Sequence, residues 1–105
     1  MNCLFCKIIG GEIETQKIYE DDDFVAFFDI HPLADTHILI LPREHISTFL
    51  NIESTHESLL IKMVGVAQKL IKDYNLEGAY RMMFNGGRNQ HVPHLHWHLL
   101  GGNVK

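Results

Sequence analysis

The 105-residue sequence predicts an α+β fold: an antiparallel sheet of about five strands, one long helix and a short N-terminal helix. Three observations predict it. Strand-like apolar runs follow one another along the chain, one longer segment has helical spacing, and no repeat or Pro/Ser-rich linker interrupts them. Strands that are consecutive in sequence usually pair antiparallel. A chain of this length forms one domain, so we expect residues 1–105 to be a single unit.

The first half of the chain contains a short helix and three strands. Residues 3–9 would form one or two helical turns before a pair of glycines. Residues 17–20 and 24–28 would pair as strands across an acidic turn. Residues 37–41 read His-Ile-Leu-Ile-Leu and are closed by a proline, which is typical of a buried strand.

The long helix begins after residues 54–57, whose Ser-x-x-Glu spacing matches a capping box. Apolar residues then recur at helical spacing from Leu59 to Tyr74, with polar residues between them. We expect this helix to end near Asn75. Residues 80–84 form the next predicted strand, and a histidine-rich strand closes the fold.

Composition excludes several classes of protein. The net charge is −4, with no basic block, which argues against nucleic-acid or anionic-membrane partners while leaving one bound nucleotide possible. No apolar run approaches the ~20 residues of a membrane span, and the N-terminus has no signal-peptide pattern. We therefore expect a cytoplasmic protein whose two cysteines are reduced thiols.

The most informative segment contains three histidines, His94, His96 and His98, alternating with Leu95 and Trp97. In a strand the three imidazoles would share one face, with neighbours about 6.5–7 Å apart. Two of them could hold one phosphate or one metal between them. Imidazole can act near neutral pH as nucleophile, acid, base or ligand. Three structural histidines on one core face would be costly, so a functional site is favoured.

The loop before this strand has the composition of an anion site. Gly86 and Gly87 allow backbone conformations in which amide N–H groups face a phosphate. Asn85, Asn89 and Gln90 add neutral donors. A plain hairpin turn is the alternative, and the adjacent histidines favour a phosphate pocket.

The pair Cys3-x-x-Cys6 has the spacing of half a zinc site. His45 and His94 are candidates to complete it, because thiolates with imidazoles suit tetrahedral zinc. Two incidental thiols remain the alternative.

Asp29 follows an apolar strand directly. Such a carboxylate normally faces water. Beside a phosphate pocket it could instead accept the two hydroxyls of a ribose, and the residues alone leave both interpretations open.

The long helix carries apolar residues over nearly two of its faces, and Gly65 near its middle indicates a close neighbour. One sheet can cover only part of such a helix. Packing on the sheet alone is the simpler alternative, and we expect a homodimer through this helix.

The sequence resembles the histidine triad (HIT) superfamily, and within it the Hint branch. Residues 94–100 match that superfamily's pattern of three histidines alternating with apolar residues. The resemblance extends over nearly the whole chain, through residues 5–9, 12–13, 27–30, 32, 36–37, 42–46, 81–85 and 101–102.

The resemblance implies a homodimer of α+β subunits, each binding a purine nucleotide such as an AMP or GMP derivative. His96 would attack the α-phosphorus and form a transient nucleotidyl-histidine, while His98 would assist the leaving group. The other matched positions would bind the nucleotide: Phe5, Ile8, Phe27, Asp29, Ile30, His37, Leu39, Asn85 and Gln90. His91, which follows Gln90, is expected to take part as well. Cys3, Cys6, His45 and His94 resemble the zinc ligands of some members.

The implied activity is hydrolysis of purine nucleoside 5′-phosphoramidates with release of AMP. Alternatives are a dinucleoside polyphosphate hydrolase, a non-catalytic nucleotide-binding or scaffold protein, and a metalloprotein in which the triad binds the metal. One departure concerns His91, which stands where members of the family commonly have a small hydroxyl residue. The contacts to the leaving group are therefore the part of the pattern that this chain changes most.

Overall fold

The computed structural model describes residues 3–105. Two α-helices, α1 and α2, and five strands, β1 to β5, make up its regular structure. In chain order they are α1 (Leu4–Ile9), β1 (Tyr19–Glu20), β2 (Phe24–Phe28), β3 (Ala34–Pro42), α2 (Glu57–Asp73), β4 (Tyr80–Met83) and β5 (Trp97–Val104). No helix within residues 3–105 is long and apolar enough to cross a membrane.

The five strands form one sheet in the order β1-β2-β3-β5-β4, and every neighbouring pair is antiparallel. The predicted α+β class, with about five strands, one long helix and a short N-terminal helix, is confirmed. β4 forms one edge of this sheet, next to β5 in the order of strands.

Successive side chains of a strand point to opposite faces of the sheet. Both faces of the central strands are buried, because each face packs in its own apolar layer. Phe24 and Ala26 of β2 pack towards α2, together with Ile38 and Ile40 of β3. The intervening residues of both strands lie in a second layer with Phe5 and Ile8 of α1: Val25, Phe27, Leu39 and Leu41. The candidate site residue His98 lies on this second face, opposite Leu39.

The start of the long helix differs from the predicted capping box. Residues 54–56 form a separate 3₁₀ turn, and His56, at the N-cap of α2, makes no side-chain cap. The Nδ1 atom of His56 instead accepts a hydrogen bond from the backbone N–H of Glu53, at 2.9 Å. The helix ends at Asp73, close to the predicted end, and the left-handed φ of 58° at Asn75 turns the chain away.

The histidine run also differs from the prediction, because only His98 of the three histidines lies in the strand. β5 begins at Trp97, whose partner on β3 is Ile40. Pro93 has no N–H to donate to a ladder, and His94 N–H bonds back to Val92 O at 2.8 Å. The chain is therefore bent before the strand, and the three imidazoles do not share one strand face.

Candidate active site and metal centre

A cavity of about 690 Å³ opens on the α1 side of the sheet. A row of paired residues crosses its floor: Phe27 of β2 is opposite Leu39 of β3, which is opposite His98 of β5. The cavity is lined by Leu4, Phe5, Ile8, Ile13, Glu14, Thr15, Phe27, Phe28, Asp29, Ile30, His31, Leu33, His37, Leu39, Asn85, His91, Val92, His96 and His98. This size suits a small-molecule ligand.

The lining has an apolar end and an imidazole end. Side chains of α1, with Phe27, form the apolar end, and the lining includes five histidines. The lining contains no lysine or arginine, and its carboxylates are Glu14 and Asp29. Imidazoles, the Asn85 amide and the Thr15 hydroxyl are thus the side chains available to meet an anion.

A short hydrogen bond fixes the tautomer of His96. Its Nδ1 lies 2.7 Å from the backbone oxygen of His94. A carbonyl can only accept, so Nδ1 carries the proton and Nε2 of the neutral ring is left with a lone pair. Phe5 packs edge-on against this ring, with centroids 4.9 Å apart, and limits its rotation. His96 is therefore oriented as a nucleophile or ligand through Nε2.

A chain of two hydrogen bonds fixes the opposite tautomer of His98. The N–H of Leu33 donates to Nδ1 of His37 at 3.0 Å, so the proton of a neutral His37 lies on Nε2. That Nε2 lies 2.8 Å from Nδ1 of His98, which must accept. The proton of His98 is then on Nε2, which lies 3.4 Å from the terminal amide of Asn85. An amide nitrogen only donates, so the Asn85 amide must be turned to present its oxygen as the acceptor of this N–H. The two adjacent rings, with centroids 5.0 Å apart, are complementary.

Burial keeps these imidazoles neutral. It lowers the pKa of His37, His94 and His96 below the usual value of 6.5. For His98, burial and the neighbouring His96 and His37 lower the pKa to about 4. At neutral pH these imidazoles therefore present the unprotonated form that a nucleophile needs, and an anion bound beside His98 would raise its pKa again.

Asp29 lies between the apolar and imidazole ends. Its Oδ1 accepts the backbone N–H of His31 at 2.8 Å, and its Oδ2 lies 3.5 Å from Nε2 of His37. Asp29, His37 and His98 are close enough to be considered as metal ligands. However, the direct 2.8 Å hydrogen bond between the two rings leaves no room for an ion between those nitrogens.

A second cluster brings Cys3, Cys6, His45 and His94 together, with one ligand atom from each within 4.8 Å of the others. Nδ1 of His94 lies 3.5 Å from both sulfurs, and Nδ1 of His45 lies 3.2 Å from Cys6 Sγ and 3.2 Å from Nδ1 of His94. Tetrahedral zinc with these ligands separates its S and N atoms by about 3.5 Å and its N atoms by about 3.3 Å. The cluster could therefore bind a metal ion.

The hydrogen bonds around this cluster also fit a metal. Nε2 of His94 donates to Pro42 O at 2.7 Å, so the lone pair of Nδ1 points into the cluster. Burial and the neighbouring Cys3 raise the pKa of the Cys6 thiol to about 11. A divalent cation is the group that would hold such a thiol as thiolate at neutral pH.

Helix α1 connects the metal cluster to the cavity. Cys3 caps this helix and accepts the N–H of Cys6 at 3.3 Å. Phe5 and Ile8 of the same two turns line the cavity. Candidate metal ligands and pocket-lining residues therefore alternate along residues 3–8, which comprise the N-cap and the first five residues of α1.

The structure brings most of the sequence-derived candidates to the cavity. His96, His98 and every assigned nucleotide-binding residue except Gln90 belong to its lining. The Gln90 amide donates to Ser47 O at 2.7 Å and to Val92 O at 3.0 Å, outside that lining. Gly86 and Gly87 also lie outside it, so the loop contributes Asn85 rather than a glycine nest.

The sequence interpretation missed other lining residues. Glu14 and Thr15 belong to an irregular segment without periodicity, and only the tertiary path of that segment brings them to the cavity. Adjacency to Asp29 could have indicated Phe28 and His31. The remaining missed residues are Leu4, Ile13, Leu33 and Val92.

Comparison with known proteins gives consistent results. Residues 2–105 match the family model described as "Scavenger mRNA decapping enzyme C-term binding". The purine nucleoside phosphoramidase of Escherichia coli K12 is 43% identical over 102 residues, covering 94% of this chain and 86% of its own.

Solved structures agree with these sequence matches. A HIT family hydrolase from Legionella pneumophila Philadelphia 1 superposes with a TM-score of 0.94 at 44% identity, covering 97% of this chain and 94% of its own. A histidine triad nucleotide-binding protein from Candida albicans gives 0.83 at 36% identity, covering 93% and 73%.

Proposed function

The chain belongs to the histidine triad (HIT) family, and from that membership we propose that it hydrolyses purine nucleoside 5′-phosphoramidates with release of AMP or GMP. The observation that carries the proposal is the complementary pair of imidazoles. Nε2 of His96 is unprotonated and Nε2 of His98 bears the proton, and both rings line one cavity. The relative named purine nucleoside phosphoramidase supports the same class of reaction.

The nucleotide would lie across the sheet. Its purine would occupy the apolar end near Phe5, Ile8 and Phe27, and its ribose hydroxyls would donate to Asp29. The α-phosphate would then lie at the imidazole end. His91 and Asn85 would face the phosphate or the leaving group.

In the first step, Nε2 of His96 attacks the α-phosphorus and forms a P–N bond. The bond from phosphorus to the substrate nitrogen breaks, and that nitrogen keeps the electron pair. On binding, the phosphate anion raises the pKa of His98, and the ring takes up a proton from solvent to become an imidazolium. The leaving nitrogen receives the Nε2 proton of this imidazolium and departs as an amine, and His98 becomes neutral. Nδ1–H of His96 stays bonded to the carbonyl of His94 throughout.

In the second step, water attacks the nucleotidyl-histidine. His98, neutral after the first step, accepts the proton of the water as the new P–O bond forms. The bond from phosphorus to Nε2 of His96 breaks, the nucleoside monophosphate leaves, and both histidines return to their starting forms. When the nucleotide leaves, the pKa of His98 falls again and the ring returns its extra proton to solvent.

The proposal is tested by incubation with an adenosine phosphoramidate and, separately, with a dinucleoside polyphosphate, measuring released AMP. We expect the phosphoramidate to react at least about tenfold faster, because the lining has no lysine or arginine to neutralise further phosphates. Faster cleavage of the polyphosphate would reassign the substrate. Tight nucleotide binding with no AMP from either compound would instead indicate a binding or scaffold protein.

We propose that the metal of the second cluster is zinc, held by Cys3, Cys6, His45 and His94. Four protein ligands leave no open position, so the ion would be structural and would stabilise the packing of α1 against the start of β5. Two cysteines that serve as ligands must stay reduced, which supports a cytoplasmic location.

We propose a homodimer that uses α2 and the edge strand β4. Ile61 is 70% exposed and Val64 is 41% exposed on the outer face of α2. Gly65 directly follows Val64. A Cβ atom added at Gly65 would meet no atom of the subunit within 4 Å. An uncovered apolar helix face and an unpaired strand edge are both typical of subunit interfaces.

The variant Val64→Glu should separate the subunits, because it would bury an unpaired charge at the centre of the interface. Sedimentation should give about 24 kDa for the natural chain, twice its 12.1 kDa, and 12.1 kDa or insoluble protein for the variant. Gln16→Glu adds the same charge at an exposed site off the helix and should stay dimeric. A natural chain that sediments as a monomer at micromolar concentration would exclude the dimer.

A further inference from the structure

We propose that Glu14 makes the pocket selective for guanine over adenine nucleotides. The inference rests on the proposed function, since it requires that the cavity bind a purine nucleotide with its phosphate at the triad. It goes further by assigning the base and the residue that recognises it. Glu14 lines the cavity, yet the mechanism gives it no role.

The position of α1 places Glu14 away from the phosphate end. The helix starts beside the triad, where Cys3 Sγ lies 3.5 Å from Nδ1 of His94. The segment that contains Glu14 follows the opposite end of this short helix and lines the cavity together with Ile13. A carboxylate there meets the base and avoids the phosphate.

The surroundings of Glu14 make it the charged group of the apolar end. Backbone hydrogen bonds from Glu12 and Ile13 to Lys7 O, at 2.8 and 3.3 Å, hold this segment against the end of α1. The other carboxylate of the lining, Asp29, is bonded to the N–H of His31 and lies beside His37. Glu14 is therefore the carboxylate placed to read the base.

The chemistry of a carboxylate favours guanine. Both of its oxygens only accept hydrogen bonds. Guanine presents two adjacent donors, N1–H and the N2 amine, which match two carboxylate oxygens, as in bidentate recognition of other planar donors. Adenine presents one donor, the N6 amine, and places the N1 lone pair against the second oxygen. Hypoxanthine has N1–H and no N2 amine, so IMP should bind with intermediate affinity.

The test is equilibrium binding of GMP, IMP and AMP, by calorimetry, to the natural chain and to two matched variants. Glu14→Gln removes the charge and one acceptor. Glu12→Gln removes the charge of an exposed neighbour outside the cavity lining. We expect the natural chain and Glu12→Gln to bind GMP about tenfold more tightly than AMP, and Glu14→Gln to bind both about equally.

The possible failures are distinguishable. If GMP and AMP bind equally well to the natural chain, or if Glu14→Gln leaves their ratio unchanged, the assignment of Glu14 is wrong while the proposed function stands. If none of the three nucleotides binds, both proposals fail together. Because these ligands are products, the measurement does not depend on turnover.

Discussion

Replacement of His96 by alanine should lower the rate of AMP release by at least about a thousandfold and leave nucleotide affinity nearly unchanged. The variant loses the atom that forms the covalent bond to phosphorus, and water would have to attack directly. In the proposed binding mode the contacts of the base and ribose would come from other elements, namely α1 and the end of β2, and would remain. Single-turnover kinetics with an adenosine phosphoramidate, together with AMP binding by calorimetry, would measure the two effects separately.

His56→Ala is the matched control for this experiment. His56 is a histidine at the start of α2 whose ring bonds to Glu44 and to the Glu53 backbone, away from the cavity. We expect that variant to keep its activity. If His96→Ala stayed within about tenfold of the natural chain, which is about 1.4 kcal/mol of barrier, His96 could not be the nucleophile. A large loss of nucleotide affinity would instead mean that His96 acts in binding.

Replacement of both Cys3 and Cys6 by serine should remove the metal and destabilise the fold. A ligand that binds only the native state stabilises it by about 4 kcal/mol when its free concentration is a thousand times Kd. For a chain of this length that corresponds to a fall of about 20 °C in melting temperature. Elemental analysis of protein purified without chelators, with thermal unfolding of the same samples, would measure both quantities.

The natural chain should contain one zinc per subunit, and His56→Ala should keep it, because its ring is not part of the cluster. Addition of a chelator should lower the melting temperature of the natural chain and leave that of the double serine variant unchanged. Two results would contradict the assignment: a natural chain without metal, and a double variant that still contains it.

Much of the fold could be predicted because its signals are local. The helical spacing of residues 59–74 and the apolar run at residues 37–41 report burial directly. The structure extends that run to Ala34–Pro42 and places the helix at Glu57–Asp73. The capping motif failed because Ser54 lies in a 3₁₀ turn of its own, an arrangement that residue spacing does not reveal.

The candidate site was less predictable where its geometry depends on distant partners. Strict alternation suggested three imidazoles on one strand face, but β5 begins only at Trp97, so His94 and His96 lie before the strand. The hydrogen bond from Gln90 to Ser47 O joins residues 43 positions apart. The tautomer of His98 depends on His37, 61 positions away. Residue types indicated the chemistry, and only the tertiary structure indicated which atom carries each proton.

The alternation of metal ligands and pocket walls along α1 has a thermodynamic consequence. An ion bound by Cys3 and Cys6 would also hold Phe5 and Ile8 in position, because all four residues belong to α1 or its N-cap. The binding of metal and the binding of nucleotide would then be coupled through this helix. Coupling of binding equilibria is reciprocal, so any factor by which zinc tightens nucleotide binding is also the factor by which nucleotide tightens zinc binding. An abundant nucleotide pool would then protect the metal against cellular chelators, and scarce zinc would weaken the affinity for nucleotide by the same coupling free energy.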